Sequence, residues 1–368
     1  MSFKNGMNPD AKRFGHGTKF ISVMDILNNQ FIRYDNIRAS VEVIAGDIET
    51  YGVNYGDILF QRSSETLEDV GQANVYLDSK PAVFGGFVIR GKSKGNYHPM
   101  FFRYLLASPT ARKRIIVKGA GAQHFNIGQD GLSKVYLDIP SIQEQEKIAK
   151  LLECIDDRIA TQNKIIEDLN KLKSAIIEME YTHKTKGNTH IGDFIEQTSK
   201  RNKDSAIQNV LSVSNSQGFI QQCEQFENRS VASDDISNYK IVERNCFAFN
   251  PARINVGSIA RLTTFNRGIV SPMYICFRTK DNLFPEYLDY YFESKQFFTE
   301  IQKRLEGSVR QCLSYEGLCN IPLCIPTVEV QQQTGKRLST LVQEIKLEID
   351  FLELLQKQKK FLLHQMFI

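Results

Sequence analysis

Residues 137–152 read LDIPSIQEQEKIAKLL, and residues 323–338 read LCIPTVEVQQQTGKRL. The two phrases lie 186 positions apart in a chain of 368 residues. At that offset the sequence aligns with itself without a gap. Pro99 meets Pro285, Tyr104 meets Tyr290, Ser108 meets Ser294, Gly121 meets Gly307, and Gly131-Leu132 meets Gly317-Leu318. The register continues through Gln145/Gln331, Leu152/Leu338, Ile159/Ile345, Leu169/Leu355 and Lys171/Lys357. Of the 83 pairs from 99 to 181, 18 are identical, against roughly one in sixteen expected from average composition. Self-similarity at a fixed offset means one structural unit written twice, so the repeat governs the fold. Upstream of Pro99 the halves diverge, although GDILFQRSS (56–64) and RNCFAFNPAR (244–253) still look like the same strand and loop. Each copy therefore reads as a variable globular part followed by a constant tail.

The tail opens just after a proline with Ser141 and Glu144, spaced as a capping box that predicts a helix start. Ile148, Leu152, Ile155, Ile159, Ile166 and Leu169 then recur at spacings of three, four and seven, and Ile165, Leu172 and Met179 form an adjacent row. After Thr327, Leu338, Val342, Ile345, Ile349, Leu352 and Leu355 do likewise. Each run covers about 40 residues, a helix of about 60 Å at 1.5 Å per residue. Neither can hide its stripe alone. Either each packs on its own domain, or the two pair as a coiled coil.

The predicted fold class is α+β, two mixed α/β globular domains joined by two long helices. Alternation and β-branched or aromatic content predict strands at 19–24, 57–62, 82–90, 246–250, 257–263 and 273–278. Helices are expected to start near Pro99 and Pro285. THKTKGN at 182–188 reads as a linker. These signals divide the chain into domains at 1–140 and 185–326, with long helices at 141–184 and 327–368. The second half carries a lead-in, THIGDFIEQTSKRN, where the first begins almost directly at SFKNG, so the first domain is expected to lack a short opening strand or turn.

Composition narrows the function. Hydrophobic content of 42% and charged content of 24% suit an ordinary folded core. The apolar run at 81–91 is far too short for a membrane span, which needs about 20 residues. The start of the chain shows no secretory signal, so a cytoplasmic location is expected. Seven cysteines without a Cys-x-x-Cys argue against both a disulfide framework and a zinc site. No phosphate-binding loop, methyltransferase motif or histidine pair at ligand spacing occurs, so no catalytic residue, metal or cofactor is expected. The net charge of +4 is too small to decide on nucleic acid by itself.

Basic and amide residues nevertheless gather at matching loops. Arg112, Lys113, Arg114 and Lys118 lead into GAGAQHFNIG, which holds Gln123, His124 and Asn126; Lys303 and Arg304 lead into EGSVRQCLSYEG, with Ser308, Arg310 and Gln311. Arg62, Ser63 and Ser64 follow one strand, Asn250 and Arg253 the matching one, and Arg261 lies just beyond. These side-chain types reach phosphates and major-groove base edges, and divergent loops on a repeated scaffold would suit two different half-sequences. Any one of them alone is as easily a solvated surface charge.

The repeated Ile-Pro-x-x-x-x-Gln phrase (139–145 and 325–331), the long apolar helix after each, the glycine loop ahead of it and FKNGMNPDAKRFGHGTKFISVMDI near the start carry a resemblance. Over essentially its whole length the chain resembles the specificity subunit of type I restriction-modification systems. That resemblance implies two target-recognition domains held apart by an antiparallel coiled coil. It also implies double-stranded DNA as the ligand, and two modification (adenine methyltransferase) subunits and restriction subunits as partners that hold the catalytic groups. The competing readings are an adaptor whose coiled coil joins other proteins without binding DNA, a silent or recombining specificity cassette, and an enzyme acting through a cysteine.

Overall fold

The computed structural model describes every residue except 122, 183–188, 216, 223–234, 308–310 and 368. In it the glutamine of the repeated phrase is buried in both copies. The Gln145 amide donates to the Pro140 carbonyl and accepts from the His98 N–H, both at 3.0 Å. The Gln331 amide donates to the Pro326 carbonyl at 2.9 Å and accepts from the Phe284 N–H at 2.8 Å. One side chain thus ties the start of a long helix to the residue before Pro99 or Pro285, where another helix begins. A buried amide satisfied at both ends explains why this residue type recurs there.

The chain divides into two units, one made of Met1–Asn163 with Asp350–Ile368, the other of Lys164–Ile349. Each long helix, Ile142–Thr182 and Val328–Met366, contributes part of its length to both. The first unit carries an antiparallel four-stranded sheet in the order Ser2–Asn5, Val88–Lys92, Ile58–Gln61, Ala73–Val75. The second has the same sheet from Ile195–Thr198, Ile275–Thr279, Phe247–Phe249 and Ile259–Arg261. Ile58 opposes Gly91 as Phe247 opposes Phe277, and 91 and 277 are again 186 apart. The repeat therefore extends upstream of Pro99 in the fold even where the sequence has lost it.

Four expectations change. The first domain does have its opening strand, Ser2–Asn5 paired with Val88–Lys92, and in the second half the turn Ile191–Phe194 leads into the matching strand. The expected strand at 82–90 breaks into Val83–Phe84 and Val88–Lys92 around Gly85-Gly86. Each helix after the starting proline breaks at the repeated serine: Pro99–Ala107 gives way to Pro109–Ile116, and Pro285–Tyr291 to Lys295–Gln302. The Ser108 hydroxyl accepts from the Ala111 N–H and the Ser294 hydroxyl from the Phe297 N–H, each at 3.2 Å, so the serine caps a new helix. Finally, Val342 and Ile349 are exposed, as are Ile165, Leu172 and Met179. The inward seam of the second helix takes Leu338, Leu341, Ile345, Leu352 and Leu355 instead. At about 100° per residue a step of three then four stays on the inward face, and Val342 and Ile349 lie one position past it.

Within the first unit the core joins Phe101, Leu105 and Ile115 to Ile148, Leu152 and Ile155 of the first long helix and to Phe367 of the second, with Ile159 at its edge. Within the second unit Ile177, Tyr181 and Leu338 meet Tyr287, Tyr291 and Phe297. Phe367 sits 5.4 Å from Phe101, and Tyr181 sits 4.9 Å from Tyr287, two pairs related by the same offset. Ile166 and Leu169 are half-buried.

Candidate nucleic-acid interface

In the first unit the strand Ser63–Ser64 pairs with Phe125–Asn126, so the loop after Ile58–Gln61 and the glycine loop become one surface. Ser63 and Asn126 also bond through their side chains, and the Ile127 N–H donates to the Arg62 carbonyl at 2.9 Å. Reciprocal bonds between Ala120 and Asn126 close the loop, with Gly121 at φ +144°, where a Cβ would strike the His124 carbonyl. Lys118, Gln123, His124 and Asn126 are exposed, and Arg62 is half-exposed with its guanidinium on the Gly86 carbonyl.

The second unit repeats this design. Glu306 and Cys312 close the loop reciprocally, Gly307 takes φ +106°, and the Leu313 N–H donates to the Pro251 carbonyl at 3.0 Å. Arg253 and Gln311 are exposed on this surface, while Ser308 and Arg310 lie outside the described residues.

Four expected contacts are committed elsewhere. Arg261 forms ion pairs with Asp289 at 3.0 Å and Glu286 at 3.4 Å and hardly reaches solvent. Burial pushes the Asp289 carboxyl up, and the Arg261 guanidinium pulls it the other way. Asn250 is buried and accepts from the Ala252 N–H at 3.1 Å, shaping the turn. Arg304 and Lys303 both pair with Glu300; burial opposes that charge, but their hydrogen bonds hold the carboxyl low. Arg114 bonds the Tyr136 carbonyl at 2.8 Å. Arg112, named beside it, bonds the Glu68 and Val70 carbonyls, each at 2.7 Å. A charge in a sequence does not reveal whether a neighbouring carboxylate or carbonyl already holds it.

Three features escaped the sequence reading. Phe87 and Met273, 186 apart, are 70% and 58% exposed, and the Arg62 N–H bonds the Phe87 carbonyl beside the first loop. An open cleft of about 780 Å³ in the second unit is lined by Lys200, Arg201, Lys203 and Arg267 with Asp204. The run SKRNK at 199–203 was its available signal. Burial pushes the Cys276 thiol up to about 12 and raises Cys246 as well, which suppresses the reactive thiolate at these two positions. Among the described residues no cluster of three metal-ligating side chains occurs, and no helix is long and apolar enough to cross a membrane.

The chain is similar to several known proteins. Residues 3–171 match the family described as type I restriction modification DNA specificity domain. A stretch of 164 residues is 31% identical to the MjaX specificity subunit of a type I restriction enzyme of Methanocaldococcus jannaschii, covering 41% of this chain but only 37% of that protein. The MjaVIII specificity subunit of the same organism is 22% identical over 343 residues, 84% of this chain and 77% of the relative. The solved S subunit of a type I restriction-modification system from M. genitalium shares the fold, with a TM-score of 0.54 at 16% identity, covering 100% of this chain and 93% of that one.

Proposed function

We propose that this chain is the DNA-sequence-reading, non-catalytic subunit of a type I restriction-modification complex. Each unit reads one half of a bipartite target in double-stranded DNA, through the glycine loop and the loop beside it. The observation that carries this reading is the pair of closed loops, Ala120 to Asn126 and Glu306 to Cys312, built by the same hydrogen bonds but bearing different side chains. Constant backbone with variable side chains is what two readers of different half-sites require. Arg62, Ser63, Ser64, Lys118, Gln123, His124 and Asn126 serve the first half-site, and Arg253 and Gln311 the second.

Residues 1–140 and 185–326 act as recognition domains, and 141–184 and 327–368 pair as an antiparallel coiled coil that sets the half-site spacing. Two modification subunits and the restriction subunits dock on this frame and supply the chemistry, in the cytoplasm. The methyltransferase must extrude its target base to reach it. Modified-base sequencing of the genome with the gene intact, deleted, or carrying Arg62→Ala with Asn126→Ala tests the proposal. Deletion is expected to abolish one bipartite methyladenine motif, and the double variant to relax one half-site only. An unchanged methylation pattern on deletion overturns it.

A further inference from the structure

The open cleft of the second unit gathers cations that no carboxylate neutralises. Lys200, Arg201, Lys203 and Arg267 are exposed along it, over Ile207 and Ile241. Among the described residues none of the four forms an ion pair. Glu243 opposes Arg267 in the strand pairing yet makes no ion pair with it, and the Asp204 carboxylate accepts from the Ala206 N–H at 3.3 Å. The lining therefore carries a net charge of +3. Elsewhere in this unit Arg261, Lys303 and Arg304 are each held by a carboxylate, so unpaired cations are not its habit.

The loop that presents them is held from inside. Asn202 is fully buried; its amide donates to the Ile207 carbonyl at 2.9 Å and accepts from the Ile207 N–H at 3.1 Å. The Asn202 N–H donates to the Tyr239 carbonyl at 3.0 Å, and the Ile241 N–H to the Lys200 carbonyl at 2.8 Å. The cations on either side of Asn202 are thus fixed to the fold in advance, which lowers the cost of ordering them on a ligand. Strand direction puts the loop at the reading end of the sheet. Thr198 and Ala248 both oppose Cys276, on strands that run the same way. The chain leaves Ile195–Thr198 toward Lys200 at the end where it leaves Phe247–Phe249 toward Arg253, and there the Leu313 N–H holds the glycine loop on the Pro251 carbonyl. With about 4.8 Å between neighbouring strands, the two exits lie about 10 Å apart. A major groove is about 12 Å wide, so phosphates on the rim of a groove read at Arg253 and Gln311 fall at the distance of this loop.

We propose that this cleft seats the phosphate backbone of the DNA beside the second half-site, as an electrostatic anchor that carries no sequence information. The proposal rests on the reading of the chain as a DNA reader and divides the labour within one unit. The loops at Arg253 and Gln311 discriminate bases, and the cleft holds the duplex in register against them. Phosphate contacts position a protein on DNA, whereas base contacts specify. An acidic protein surface would suit the same charge, but the place of the cleft at the reading end of the sheet favours nucleic acid.

The test takes the full chain assembled with its modification subunits and two labelled duplexes, one with the bipartite motif found by modified-base sequencing, one with that motif scrambled. Affinity is followed against NaCl concentration. The triple change Lys200→Ala, Lys203→Ala and Arg267→Ala should weaken binding to both duplexes by the same factor, at least about tenfold near 0.1 M salt, and make the slope of log affinity against log salt shallower by about 3. Arg201 is left in place because its guanidinium bonds the Asn238 side chain at 3.0 Å. Lys200→Arg with Lys203→Arg and Arg267→Lys keeps the charge and should keep the slope; a slope lost here too overturns charge as the cause. An unchanged slope in the alanine variant, with the motif still preferred, overturns the anchor and leaves the DNA reader standing. Weakening on the motif duplex alone also overturns it, by making the cleft a base reader. A variant that keeps its slope but sheds a modification subunit in sedimentation velocity assigns the cleft to an acidic protein surface instead. An unaltered assembly that shows no preference for the motif refutes the reading of the chain itself.

Discussion

The two units hold the same lysine over the same tyrosine and neutralise it from different places. In the first, Lys359 lies 5.7 Å from the Tyr104 ring and pairs with Asp156, whose carboxylate also accepts from the Tyr104 hydroxyl at 2.8 Å. In the second, Lys173 lies 5.8 Å from the Tyr290 ring and pairs at 2.6 Å with Glu293. Lysines and tyrosines are each 186 apart, but the position of Asp156 is Val342 in the other copy and that of Glu293 is Ala107. The carboxylate has moved from a long helix to the segment just after the helix Pro285–Tyr291. What the repeat preserves is therefore a paired cation at the helix–domain contact rather than any particular anion, because an unpaired buried charge is what the fold cannot tolerate.

The largest test of this equivalence lies in the apolar seam. Leu152 and Leu338 are matched and fully buried, one in each unit's core. Truncating either to alanine should cost about 2–5 kcal/mol. In chemical denaturation followed by hydrogen exchange, Leu152→Ala should weaken protection in the first unit and Leu338→Ala in the second; loss in both units from either change would break the comparison.

The two carboxylates give a smaller and unequal effect. Asp156→Ala strands a half-buried lysine and a buried phenol, and should cost about 1–3 kcal/mol. Glu293 is about half exposed, so Glu293→Ala should cost no more than about 1 kcal/mol. Equal shifts in denaturant midpoint would show that the two clamps are not built as their burial indicates.

The smallest effect is a pH dependence confined to the first unit. Backbone N–H groups of Lys80 and Tyr34, each at 3.0 Å, hold the Asp78 carboxyl below its ordinary value of 3.8. A depressed carboxyl contributes stability above its unfolded value and loses it as pH falls through the folded one. Asp78→Asn should therefore lower the denaturant midpoint slightly at neutral pH, with the gap closing in acid below 3.8. A gap that persists in acid would assign the loss to shape rather than charge.

The long helices and their common offset were legible because a stripe of apolar residues at helical spacing is a local property of the chain. So was the Gln145/Gln331 phrase, although its reason was not: the bonds run to His98 and Phe284, about fifty residues upstream. The candidate interface was half legible. Residues such as His124 and Asn126 could be placed because glycine and loop signals surround them. Arg261 and Asn250 could not, since Asp289 and the turn at Ala252 decide their burial.

By itself, the sequence determined that one α+β unit is written twice, where its long helices begin, and where the basic loops fall, all consequences of spacing along the chain. Only the tertiary structure decided which cations are held by a neighbouring carboxylate or carbonyl and which side of each helix is inward at Val342 and Ile349. Those outcomes depend on neighbours distant in sequence, whose charge and volume act through space and leave no mark on local spacing.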